Sequence, residues 1–193
     1  MDVRGFLVLP VLFGGLATWI AWTRRDGAGA PLEESGPVTM ELGGLRLTVL
    51  RRHAPESADL WCRNALVADA RCSVQPRELR ASGTLLSAVD LEAWCGKLPG
   101  FMDGACNDLH LNGDGDCLSL YLHRGLRGGM TAVSVLLIEP DAGPARQPPG
   151  EELRESRRLL FLVDRDQLEY FRVGVEQAML AFPVDHGGTA RLN

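Results

Sequence analysis

CNDLHLNGDGDCLSLYL, residues 106–122, places Asn112, Asp114 and Asp116 at every second position. Acceptors so spaced belong either to a calcium loop or to the tip of a hairpin, and the two imply different folds. An EF-hand loop counted from Asn112 needs glycine at its sixth position and a bidentate glutamate at its twelfth. Those positions hold Cys117 and His123, so the sharp turn and the closing carboxylate are both missing. The flanks decide the matter. Leu109 and Leu111 lie on one side, Leu118, Leu120 and Leu122 on the other, all at period two, which is the period of a strand. With Asp114-Gly115 as a two-residue turn, Leu111 faces Leu118 and Leu109 faces Leu120, so every leucine shares one face.

The opposite face of this hairpin then carries Cys106, Asp108, His110, Cys117, Ser119, Tyr121 and His123. In that register Cys106 stands opposite His123 and His110 opposite Ser119. His110 and His123 are then about four residues, or roughly 13 Å, apart along the strands. One zinc ion cannot collect both at ~2.1 Å. Cys106, Asp108 and His123 are the candidate metal ligands, and Cys106 with His123 the candidate catalytic pair. The plainer alternative is a face that is partly solvated or packed under a helix. No GxSxG, HExxH or SxxK pattern occurs, and neither GxGxxG nor a P-loop is present, so no cofactor is expected.

Outward from the hairpin, Val38 to Leu42 and Leu45 to Leu50 alternate around Gly43-Gly44, a pair suited to a tight turn. Residues 57–74 fit neither period. Ser87 reads as a helix N-cap with Asp90 three positions on. Leu91, Trp94, Cys95 and Leu98 follow at helical spacing, and Pro99-Gly100 is expected to stop the helix. Thr131 to Ile138 and Arg158 to Val163 read as strands. "LLFLV" in the second lacks alternation, which suggests a central strand covered on both faces. Between them EPDAGPARQPPGEE, with four prolines, is an exposed excursion. A closing helix capped by Asp166 buries Leu168, Phe171, Val175, Ala178, Met179 and Phe182, keeps Arg172 between Glu169 and Glu176 on its wet face, and ends at Pro183. No internal repeat is visible.

From Gly5 to Thr23 nineteen residues carry no charge, and Trp19, Trp22, Arg24 and Arg25 close the stretch. A helix of that length spans roughly 28 Å, about the thickness of a bilayer core. The tryptophan–arginine flank suits a headgroup boundary. A buried core helix and a cleaved signal peptide ending at Ala28-Gly29-Ala30 are the competing readings. The expected organisation is a transmembrane anchor over 1–24, a flexible linker over 25–37, a globular domain over 38–183 and a tail over 184–193. The expected fold class is α+β, an N-terminal transmembrane helix followed by one antiparallel β-sheet domain with helices packed on one face.

The chain's 193 residues, 46% hydrophobic and 23% charged, leave roughly 155 after the linker, enough for one globular domain with a real core. A net charge of −5, with Lys97 the single lysine and no basic stripe, excludes a nucleic-acid partner. Five cysteines form no CxxC. Cys62 with Cys72 and Cys95 with Cys106 could each close a short disulfide loop, which would place the body outside the cytoplasm, in a periplasm. Three functions remain open. One is a single-pass, membrane-anchored, non-enzymatic interaction domain, an accessory subunit of an envelope complex or a toxin inhibitor. It would meet the bilayer through residues 5–23 and a protein partner through its body. The second is a sensor holding a small apolar ligand. The third is a hydrolase using Cys106, Asp108 and His123.

Overall fold

The computed structural model describes residues 36–125, 129–140 and 155–187. The hydrophobic stretch 5–23, nearly all of the linker, most of the proline-rich excursion and the last six residues lie outside them. Among the described residues no helix is long and apolar enough to cross a membrane. The transmembrane helix expected as part of the fold therefore has no support here, and the single sheet is replaced by two.

The first sheet is a meander of β1 (Val38–Leu42), β2 (Leu45–Arg52), β3 (Ala65–Val74) and β4 (Arg77–Ser87), all antiparallel. A short helix, α1 (Leu60–Asn64), stands between β2 and β3. Helix α2 (Ala88–Met102) follows β4 directly. The second sheet repeats the scheme with β5 (Asp108–Asn112), β6 (Leu118–His123), β7 (Thr131–Leu137) and β8 (Arg158–Val163), and helix α3 (Arg165–Ala181) closes it. Each half is thus four antiparallel strands and then a helix. Both long helices begin with a capping box where the last strand ends: Ser87 with Asp90, and Asp164 with Gln167. The closing helix therefore starts two residues before the expected Asp166.

Each sheet turns one face inward. Met40, Leu47, Ala70 and Cys72 from the first sheet and Leu111, Leu120, Val135 and Val163 from the second join one continuous core. The helices supply Leu91, Trp94, Leu98 and Phe101 from α2 and Leu168, Phe171, Val175 and Ala178 from α3. Helix α3 packs on β1 and α2, while β3 approaches β7 and β8. The two halves therefore share apolar surface, and single cooperative unfolding is expected.

Two strands, β3 and β4, were missed in the sequence. Their buried positions include Ala68, Ala70, Cys72 and Ala81 beside Leu66, Leu79, Leu85 and Leu86, and the small side chains together with the bulge at Leu85 blur the period of two. Helix α2 continues past Pro99 because Phe101 and Met102 are buried and the amide of Asp103 still bonds the carbonyl of Pro99 at 2.9 Å. The expected tail is anchored for its first residues. Asn64 donates to the carbonyls of Leu60 and Asp185 and accepts from the amide of Asp185, and Arg63 pairs with Asp185.

All five cysteines are free thiols, so neither expected loop is closed by a disulfide. Cys72 is buried in the first sheet, while Cys106 is exposed. Burial pushes the Cys72 thiol up to about 11, which leaves almost no thiolate near neutrality. Alkylation of the native chain at pH 8, read by peptide mass mapping, should label Cys106 about 100-fold or more faster than Cys72. Unfolding should abolish the difference. Equal native rates would contradict the burial of Cys72.

Candidate interaction surface

The 108–123 hairpin forms with all five leucines on the buried face, as the period of two demands. Its register differs by two residues from the expectation. Asp108 stands opposite His123, His110 opposite Tyr121 and Asn112 opposite Ser119. The tip is a loop closed by the amide of Gly113 on the carbonyl of Leu118 at 2.8 Å, with a 3-10 turn over Asp114–Asp116. The face parity survives a shift of two, but the neighbours change.

Asp108 Oδ1 now accepts from the Tyr121 hydroxyl at 2.5 Å and lies 2.7 Å from His123 Nδ1. The Tyr121 hydrogen bond, then that of His123, holds the Asp108 carboxyl below the usual carboxylate range, and the same bond raises the Tyr121 phenol. Rings of His110 and Tyr121 meet at 4.6 Å between centroids, and His123 stacks on Tyr121 at 6.5 Å. Of the residues proposed as a site, Asp108 and His123 therefore come together. Cys106, which lies before β5, is opposite neither and is not brought into their bonding. Among the described residues no three His, Cys, Asp or Glu side chains converge in a metal-holding group. The Asp108–His123 pair orients an imidazole, but the group hydrogen-bonded alongside it is a phenol held by the same carboxylate, not a free nucleophile.

The outer face of this sheet continues across β7 and β8. His110 and Tyr121 run on to Ser134 and Leu160; Asp108 and His123 run on to Ala132 and Leu162. Leu160 is 67% exposed and Leu162 54%. The strand read as central is thus an edge strand, the last in the order β5-β6-β7-β8. Its run is apolar on both faces because Leu159, Phe161 and Val163 pack inward, against the core and the Gly43 turn. The outward pair faces solvent.

Other edges are protected. Strand β1 is backed by α3, whose Gly174 lies against Met40. Strand β4 carries a bulge at Leu85 and has Pro140 against Gly83. Strand β5 carries Asp108, His110 and Asn112 outward. Bulges, proline and charge are the usual devices that prevent strand addition. Strand β8 has neither a bulge nor a proline nor a charge between Arg158 and Asp164. The outer face of the first sheet is also unlike it: Glu41 pairs with Arg46 at 2.6 Å, and Glu78 with both Arg71 and Arg80, so that face is a charge-balanced, solvated one.

A shallow depression is lined by Glu41, Gly43, Asp164, Asp166, Gln167 and Tyr170. Its three carboxylates do not suit the apolar ligand expected of a sensor. Comparison with protein-family models and with curated proteins yields no match to this chain.

Proposed function

We propose that this chain is a non-enzymatic interaction domain that docks a protein partner on the outer face and free edge of its second sheet, in the manner of an accessory subunit or an inhibitor. The observation that carries this reading is the exposure of Leu160 and Leu162 on β8, which among the described residues ends its sheet, with the His110, Tyr121 and His123 rings on the same outer face. Leucines exposed in a row are costly on a free surface and useful on a docking one. An edge strand adds main-chain hydrogen bonds, and alternate side chains give selectivity. The uncharged residues 5–23 would bring the body to a lipid surface. Five free thiols remove the support that disulfides lent to an extracytoplasmic body.

The reading is tested by recovering the tagged full chain from its native cells with whatever binds it. Leu160→Asp/Leu162→Asp should lose a stoichiometric partner, with far-ultraviolet circular dichroism unchanged because neither side chain belongs to the core. Retention of that partner by the double variant would remove the proposed surface.

A further inference from the structure

We infer that the occupant of the β8 edge is a second copy of this chain, paired antiparallel through β8 about a two-fold axis at Phe161. This rests on the reading of β8 as the docking edge, and goes further by naming the partner and its register.

The argument comes from the order of side chains along the outer face: Arg158, Leu160, Leu162 and then Asp164, whose backbone is still extended. The pattern is positive, apolar, apolar, negative. Turned end for end about Phe161, it becomes its own complement. Arg158 meets Asp164 of the partner, Leu160 meets Leu162, and the same contacts recur on the other side of the axis. On the inner face Leu159 meets Val163, two apolar side chains again. Shifting the axis to Leu160 would set Arg158 against Leu162, and shifting it to Leu162 would set Leu160 against Asp164. Parallel pairing would oppose Arg158 to Arg158 and Asp164 to Asp164. One arrangement alone matches every charge to its opposite and every leucine to a leucine.

The charges are available for this use. Arg158 makes no ion pair among the described residues. Asp164 uses Oδ1 to cap α3, accepting from the amide of Gln167 at 2.8 Å. An isologous contact of this kind is the usual basis of a two-fold dimer. Here it would join two four-stranded sheets into one of eight strands and set the leucines of the two copies side by side across the new strand pair. Opposed side chains on antiparallel strands have Cβ atoms ~5 Å apart, within reach of a disulfide.

Two measurements on the full chain test it. Sedimentation should give about twice the 21.0 kDa chain mass, and Leu160→Asp should weaken dimerisation about 30-fold or more, as loss of a central contact does. Under mild oxidation Leu160→Cys mixed with Leu162→Cys should form a linked pair, and neither variant alone should exceed the background set by the five native thiols. A dimer that survives Leu160→Asp, or cross-links that form equally in the single variants, would overturn the inference. A monomer whose Leu160→Asp variant loses a different co-purifying protein would overturn the second copy and leave the docking edge intact. A monomer that loses nothing would remove both.

Discussion

Trp94→Ala should cost the domain about 3–5 kcal/mol, the range for emptying a large aromatic site in a core. Trp94 is 1% exposed on α2, and its ring lies 6.3 Å from that of Phe171 on α3, tilted by 40°. Its Nε1–H donates to the carbonyl of Asn112, at the end of β5, at 3.1 Å. One side chain thus joins both long helices and the second sheet. Truncation leaves a cavity where three elements meet, and leaves the Asn112 carbonyl without its indole donor. Against a total of about 5–15 kcal/mol for a domain of this kind, that is a large share. Urea unfolding followed by far-ultraviolet circular dichroism measures it, with the midpoint falling and the slope unchanged. Trp94→Phe separates the two contributions: it keeps an aromatic ring for Phe171, loses the hydrogen bond, and should cost about 2 kcal/mol less than the alanine variant. A loss under about 1 kcal/mol for Trp94→Ala would mean the halves do not share a core.

The same shared core explains which parts of the fold could be read from residues alone. Leucines at period two in 109–122 settled the faces of that hairpin, because burying five leucines leaves no other parity. They could not settle its register, since a shift of two preserves every face. The turn decides register, and its Gly113 lies against the Leu85 carbonyl of β4, a neighbour far away in the sequence. Strands β3 and β4 bury Ala68, Ala70, Cys72 and Ala81 between their leucines, and a bulge at Leu85 breaks the alternation, so the period of two is faint. Asp164 and Asp166 are both sound caps by residue type; the abrupt end of β8 at Val163 selects the first. The two-fold repetition of four strands and a helix lies in the order of elements and leaves no visible mark in the residues.

The candidate surface was legible in part. Asp108, Tyr121 and His123 were assigned to one outward face, and the structure bonds them there through Asp108. Leu160 and Leu162 were missed as surface residues. A run of apolar residues reads as a covered strand, because burial on both faces is the commonest reason for such a run. The alternative, an edge strand completed by another chain, has the same composition. The flanking Arg158 and Asp164 were the available signal, a charge pattern that is its own complement when reversed.

Gly113→Ala should destabilise the chain more than Gly115→Ala, the reverse of what their backbones suggest. Gly115 lies at φ +61°, a left-handed conformation that costs a side-chain-bearing residue about 1 kcal/mol. Yet a Cβ added there meets nothing nearer than the Cys117 sulfur at 3.9 Å. Gly113 has φ −99° and ψ −170°, ordinary extended backbone open to any residue. Its constraint is space: an added Cβ would stand 2.1 Å from the carbonyl oxygen of Leu85 and 3.3 Å from Leu118 Cβ. Leu85 is the extra residue of the bulge between β3 and β4, fully buried in the core. A carbonyl fixed in that way cannot swing aside like the end of a flexible side chain. The hairpin tip must move instead, which strains the 2.8 Å bond from Gly113 to Leu118 and the seat of Asn112 against Trp94. Overpacking of this severity costs about 3 kcal/mol, the upper end of its usual range. Urea midpoints of the two variants measure the order. Equal losses, or a larger one at Gly115, would mean that the β5–β6 tip does not lie against the β4 bulge.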